Sequence, residues 1–429
     1  MKRRTFLKQV GAGVAGAAAI SYTASSAAAG ANERISVGIM GCQRGLLVGE
    51  QFAAQGARIA YVCDPDEGRA RRAREKLSAE KVVDDFRPIL DDASVDVLVV
   101  AAPDHWHGPA AILACAAGKH VYVEKPCSHN IREGRLMIDA ARRANVVMQV
   151  GSQSRSTPVL ADGVQQVREG AIGDVLVAKA WNSQRRVNIG HESPSDPPPG
   201  FAYDLWVGPA PKPPFQKNRH HYTWHWWYDF GTGDVGNDGI HELDIACWGL
   251  GVDTHPARVS GYGSKMHFDD DQQFPDTQYA TFEYPQRASG PPRLLIYEQR
   301  IWSPYVQEGY ENGNAFYGTE GYLLLSKHFG WRLFGPKNEL IREEKGTYSV
   351  PDHVADFTNA IRSGKRPSAD IEIGHRSATV AHLANILARA GRGTLEFDSD
   401  REQIVGDDQA NAFVKRSYRE DHWAVPADV

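Results

Sequence analysis

Short, wholly apolar runs alternating with helical segments constrain this chain more than any other feature. Residues 95–102 are apolar apart from Asp96, the pattern of a strand buried on both faces of a parallel sheet. Upstream, Ile35, Val37 and Ile39 alternate into Gly41, and residues 58–63 form a second apolar strand stopped by Asp64-Pro65. A helix ends across residues 51–56, a charged helix occupies residues 66–79, and an Ala-rich helix runs from Pro109 to a stop at Gly118. Residues 120–123 and 146–150 read as further strands around a helix over residues 131–144. The alternation predicts a doubly wound α/β domain over residues 31–151.

After Gly151 the pattern changes. A strand over residues 175–181 precedes a Pro-, Gly- and Ser-rich loop over residues 193–214. Five β-type runs follow between residues 257 and 326, broken by Gly, Pro, Asn and Asp, and amphipathic helices occupy residues 354–363 and 376–389. This order predicts a second, α+β domain over residues 152–429, built on a large, mostly antiparallel open sheet. A chain of 429 residues has room for both. Its formal charge of −5, with cations spread along the sequence, argues against a nucleic-acid partner.

The first thirty residues stand apart. Lys2-Arg3-Arg4 and Phe6-Leu7 precede a short Gly/Ala-rich apolar run and a small-residue zone, the layout of a cleaved leader. The arginine pair resembles a twin-arginine signal, which implies the twin-arginine export machinery as a partner and a periplasmic or otherwise exported protein. The five cysteines form no CxxC pair or disulfide framework, which suits a protein folded in a reducing compartment before export.

Gly41-Cys42-Gln43-Arg44-Gly45 sits at the first strand-to-helix turn, where backbone N–H groups receive a pyrophosphate. The strict G-x-G-x-x-G spacing is not met, because Gln43 and Leu46 fill its second and third glycine positions. Asp64 ends the second strand, where an acid accepts from a ribose 2′-hydroxyl. NAD is therefore favoured, while Arg69 leaves NADP open. The third strand leads to Pro103-Asp104-His105-Trp106-His107, and the next to Glu124-Lys125-Pro126.

With Gly151-Ser152-Gln153-Ser154-Arg155, Gly239-Ile240-His241 and the terminal helix from His375, these motifs closely resemble the family named for glucose–fructose oxidoreductase, inositol dehydrogenase and MocA. The resemblance spans nearly the whole mature chain. It implies a Rossmann domain, a cis peptide before Pro126, and a homodimer or homotetramer. Candidate cofactor contacts are Gly41, Gln43, Arg44, Gly45, Asp64, Pro103, His107, Glu124, Lys125, Pro126 and Gln153.

Lys125, at the carboxyl edge of the sheet, is placed to bond a substrate hydroxyl and hold a developing alkoxide. His241 matches the family's catalytic histidine. The family's carboxylate four residues earlier is replaced by Asn237, which cannot carry a proton and leaves acid–base duty to Lys125 and His241. Asp244, on the same helical face as His241, either fixes the imidazole tautomer or is an ordinary helix charge. Arg155, Trp224, Asn237, Asp238 and His241 are candidate substrate contacts. The aromatic stretch over residues 222–228 fits either a sugar-facing surface or a core cluster. His220, His221 and His225 read as polar surface rather than metal ligands, and His241-Glu242 lacks the second histidine of a zinc HExxH helix, so no metal is expected.

These residues predict an NAD(P)-dependent oxidoreductase acting on a hydroxyl-bearing carbon of a sugar, polyol or glycoside, with a tightly held nucleotide. Two alternatives stand beside it. One is a glycosidase working by transient oxidation, elimination and re-reduction; the other is a non-catalytic sugar- or nucleotide-binding protein.

Overall fold

The computed structural model describes residues 34–285 and 291–428, so the expected leader with Arg3 and Arg4 lies outside the described residues. Six parallel strands form the first sheet: β1 (Ser36–Met40), β2 (Arg58–Cys63), β3 (Lys81–Val83), β4 (Val97–Val100), β5 (His120–Val123) and β6 (Met148–Val150). Their order is β3-β2-β1-β4-β5-β6. Successive strands are added to one side as far as β3 and to the other from β4 onward, so the strand order reverses at the β1/β4 boundary, and the carboxyl ends of those strands open a crevice there.

Helices α1 (Arg44–Ala54), α2 (Glu67–Leu77), α3 (Arg87–Asp91), α4 (Asp104–Ala116) and α5 (Ile131–Ala144) flank this sheet. Their ends follow from local chemistry. Asp66 and Asn130 cap α2 and α5 by accepting from Arg69 N and Glu133 N, and both helices stop at left-handed residues, Ser78 and Asn145. Helix α4 starts at Asp104, earlier than Pro109 suggested, and so contains that proline. Pro109 has no N–H for the carbonyl of His105, which accepts from Arg416 Nη2 at 2.7 Å instead.

The second sheet has ten strands in the order β14-β13-β12-β11-β7-β10-β9-β8-β15-β16. They are β7 (Val175–Asn182), β8 (Arg258–Ser264), β9 (Thr277–Tyr284), β10 (Arg293–Arg300), β11 (Asn312–Gly318), β12 (Tyr322–Ser326), β13 (Gly330–Phe334), β14 (Leu340–Glu344), β15 (Thr394–Asp398) and β16 (Gln403–Ile404). Only the β7/β10 pairing is parallel. Along β9, Ala280, Phe282 and Tyr284 point inward while Tyr279 and Glu283 are exposed, the alternation of a sheet covered on one face.

Helices α6 (Pro158–Arg168), α7 (Tyr203–Val207), α8 (Ile240–Leu250), α9 (Val350–Ser363) and α10 (Ile371–Arg389) complete the frame. Helix α10 belongs to both cores: Ile371 and Ala378 pack with Met137 against the first sheet, and Val380 and Leu383 pack with Phe282 against the second. Phe357 of α9 meets Phe52 and Tyr122 edge-on at 6.1 and 6.0 Å, a burial worth roughly 2–3 kcal/mol. Among the described residues no helix is long and apolar enough to cross a membrane.

Candidate functional site

The carboxyl ends of β1, β2, β4 and β5 open into a cavity of about 810 Å³ that reaches Asp64 at one end and His241 and Lys327 at the other. At its floor Gly41 turns with φ +91°, and a Cβ there would lie 2.4 Å from the Ala101 carbonyl oxygen. No other residue fits. Helix α1 begins just beyond with no side-chain cap and no acid in its first turn, so its N–H groups and the positive end of its dipole are available to an anion. Gln43 and Arg44 line the cavity beside them.

Gly45 does not line it. A Cβ on Gly45 would stand 2.7 Å from Ile39 Cγ2, so this glycine serves close packing of α1 on β1, the duty of the third glycine in the usual fingerprint. Asp64 is buried and accepts from Cys42 N at 2.7 Å and Asp66 N at 2.9 Å, tying the glycine turn to the end of β2. These features fit a dinucleotide: an uncapped helix terminus, a cradle that a Cβ would fill, and a carboxylate at the ribose position.

Further along, Pro103 and His107 line the wall. Both His107 nitrogens face backbone carbonyls, of Pro126 at 2.6 Å and Ala102 at 2.8 Å, so this ring fastens the β4 end to the β5 end. Glu124 accepts from Arg44 Nε at 3.0 Å, Gln153 Nε2 at 3.3 Å and Lys125 N at 3.3 Å. Burial would raise its carboxyl, but Arg44 and Lys125 hold it below its usual range. The Lys125–Pro126 peptide is cis, and Pro126 stands behind the cavity rather than in its lining.

Lys125 Nζ donates to the Asn237 carbonyl at 2.5 Å and lies 3.4 Å from Asn237 Oδ1. Burial lowers its pKa, against the pull of Glu124, Asp104 and Asp238. Asn237 and Asp238 belong to a π-helical turn, Val235–Gly239, that runs into α8; such wide turns recur at functional sites. Asn237 Nδ2 donates to Asp234 at 3.1 Å and to Tyr222 Oη at 3.3 Å. The carboxylate missing at position 237 is available one residue on, because Asp238 lines the same cavity as His241. Burial and the charges of Lys327 and Lys125 push His241 well below its usual pKa, so its imidazole is neutral at physiological pH rather than titrating there.

Several expected contacts are displaced. Arg155 does not reach the cavity. Its Nε pairs with Asp244 at 2.8 Å and its guanidinium lies 5.1 Å over Trp248, a buried ion pair that holds the turn after β6 to α8. Asp244 accordingly accepts from Arg155 and from Ser377 Oγ at 2.6 Å rather than from His241. The aromatic stretch divides: Tyr222, Trp224 and His225 line the cavity, while Trp226 and Trp227 are buried. Asp66, His220 and His221 stand together at the cavity edge, with His221 Nε2 2.9 Å from Asp66 Oδ2.

The sequence reading missed Lys327. It follows β12 and places Nζ 2.9 Å from both Asp238 Oδ1 and Glu242 Oε1, in the cavity wall beside His241. The available signal was an apolar strand, residues 322–326, that runs directly into a lysine.

Residues 35–152 match the oxidoreductase family with an NAD-binding Rossmann fold, and residues 179–284 and 339–425 match the same family's C-terminal alpha/beta domain. The chain is 27% identical over 328 residues to scyllo-inositol 2-dehydrogenase (NAD(+)) of Bacillus subtilis, covering 73% of this chain and 81% of that protein. It is 37% identical over 107 residues to levoglucosan dehydrogenase of Pseudarthrobacter phenanthrenivorans, covering 25% and 27% of the two chains. The fold is similar to that of a levoglucosan dehydrogenase in complex with NADH, with a TM-score of 0.66 and 20% identity over 85% of this chain and 99% of the other.

The Lys327 cluster carries a pH signature. Burial pushes the Glu242 carboxyl from 4.5 up to about 8, with Lys327 opposing it. Between those values folding takes up a proton that the unfolded chain has shed, so stability falls as pH rises through the window. Glu242→Gln removes that proton uptake. Thermal melts across pH should show the variant level with the parent near pH 4.5 and more stable than it near pH 8; parallel profiles would rule out a protonated Glu242.

Proposed function

The chain belongs to the oxidoreductase family named for glucose–fructose oxidoreductase, inositol dehydrogenase and MocA, and we propose that it is an NAD-dependent dehydrogenase of a sugar, polyol or glycoside hydroxyl. The observation that carries this reading is the meeting of Lys125, Asn237, Asp238 and His241 in the cavity that begins at Gly41 and Asp64. Gly41, the α1 N terminus and Asp64 would hold the dinucleotide. The Asp64 carboxylate, which would repel a 2′-phosphate, favours NAD over NADP. When bound, the nicotinamide supplies the hydride acceptor.

The protein's own groups manage the proton. Burial brings Lys125 Nζ closer to neutrality, where it can take the hydroxyl proton as the carbon is oxidised and return it in the reverse direction. The Asn237 carbonyl fixes that nitrogen in place. Neutral His241 contributes hydrogen bonding to the substrate oxygen, and Asp238, bonded by Asn312 and Lys327, remains an acceptor beside it. Trp224 and Tyr222 offer ring surface to a sugar's C–H face.

The division at residues 151/152 into cofactor and substrate domains belongs to this proposal. So does assembly into a homodimer or homotetramer through the outer face of the ten-stranded sheet, where Tyr262 and Tyr279 pair across strands and are 57% and 41% exposed. Tight retention of the nucleotide would suit an exported enzyme with no external cofactor pool. Export itself rests on Arg3 and Arg4; replacing both with Lys should strand folded protein in the cytoplasm, and unchanged export would reject the twin-arginine reading.

Lys125→Ala and His241→Ala should each lower turnover by roughly 10²–10⁴-fold with nucleotide binding retained, and the double variant should be little worse than the poorer single one. Asn237→Asp should reduce activity by setting a carboxylate at the lysine's second contact, where Asn237 Oδ1 now lies 3.4 Å from Nζ. These are read with NAD-loaded protein and a panel of inositols, hexoses and glycosides, following both nicotinamide absorbance and aglycone release. Absorbance that accumulates marks the dehydrogenase, and aglycone release without it marks the redox-assisted glycosidase. Full activity of Lys125→Ala would remove the catalytic assignment.

A further inference from the structure

Where the cavity meets the adjoining ends of β2 and β3, its lining includes Asp64 and Arg69, Phe86 after β3, and Trp423 from the C-terminal tail. Trp423 is 39% exposed, unusual for an indole set among aromatic neighbours. Phe86 and Trp106 lie 5.6 and 6.1 Å away, and the Arg87 guanidinium sits 4.7 Å from the ring centre. We infer that the C-terminal tail forms the outer wall of the adenosine end of the cavity, with the Trp423 indole as the surface that meets adenine. This rests on the dinucleotide lying in the cavity as proposed above.

The tail is built to hold that position. Arg416 Nη2 pairs with Glu133 Oε1 at 2.7 Å and also satisfies the His105 carbonyl freed by Pro109. Tyr418 Oη donates to the same Glu133 oxygen at 2.7 Å, and Ala424 is buried in the core of the first sheet. Between them, Arg419 donates from its backbone to the Pro209 carbonyl at 2.8 Å and from Nη1 to Asp204 at 2.9 Å.

Those last partners lie on a second segment that crosses the same end. Its Gly200 carbonyl accepts from Glu67 N at 3.0 Å and its Ala202 N donates to the Pro65 carbonyl at 2.8 Å. His221, farther along, meets Asp66. The turn that bears Asp64 is therefore strapped by this segment, and the strap is fastened to the tail. A planar base enclosed there has an indole beside it, with the arginines Arg69 and Arg87 close by. Base–aromatic contact of this kind is strong and needs no specific hydrogen bond. The arrangement gives a physical route to a nucleotide that is released slowly.

The test uses the full chain, with NADH, ADP-ribose and nicotinamide mononucleotide as separate probes. Trp423→Ala should speed NADH dissociation by roughly 10- to 100-fold and weaken ADP-ribose to a similar degree, with nicotinamide mononucleotide affinity unchanged. Trp423→Phe should recover most of the loss. Arg419→Ala, which loosens the tail from the strap without removing the indole, should also speed release. Unchanged NADH dissociation in a folded Trp423→Ala protein would overturn the inference, as would equal weakening of ADP-ribose and the mononucleotide. If the parent protein binds neither NADH nor ADP-ribose, the cofactor reading falls and takes this one with it.

Discussion

The ammonium of Lys125 is held by a backbone carbonyl from the other half of the molecule, and the site depends on that contact. Lys125 ends a strand of the first sheet, whereas Asn237 lies in the π-helical turn that feeds a helix lying on the second. A side-chain acceptor in that position would depend on its residue type, but a carbonyl is fixed by the backbone alone. Substitution of the family's aspartate by Asn237 thus changes what faces the lysine's second approach while leaving its anchor intact. The turn itself is braced by Asp234, which accepts from Asn182, Arg186 and Asn237.

That contact can be precise because the two sheets are not independent bodies. Helix α10 contributes side chains to both hydrophobic cores, α9 packs on the first sheet, and the tail returns to α5 through Glu133. His107, bridging the ends of β4 and β5, keeps the lysine turn in register with the wall of the cavity. The buried charges follow the same logic: Arg155 with Asp244, and Lys327 with Asp238, are paired inside the protein, where removing one partner of such a pair costs about 3–5 kcal/mol.

Much of this was legible in the sequence, for reasons that can be named. Strand–helix alternation is a local pattern, and Glu124-Lys125-Pro126 and Gly239-Ile240-His241 are short motifs whose neighbours in sequence are their neighbours in space. The rest depended on distant partners. Arg155 reads from its motif as a substrate contact, but Asp244, 89 residues away, takes its guanidinium. Lys327 meets Glu242 across a separation of 85 residues, so the apolar strand that leads into it could not reveal its partners. The incomplete glycine fingerprint was misleading for a different reason: Gly45 supplies the helix–strand packing from an unexpected position. Strands β13 to β16 were missed, and two of them, β14 and β16, are at the sheet edges, where polar and exposed residues erase the alternation signal.

We propose that a dinucleotide lies between the glycine turn and the lysine as a resident part of the protein. Native mass spectrometry of the full chain, purified without added nucleotide, tests this most directly. It should show each subunit carrying the mass of one NAD, retained through buffer exchange. Subunits at the bare chain mass that also fail to take up NAD on titration would contradict it.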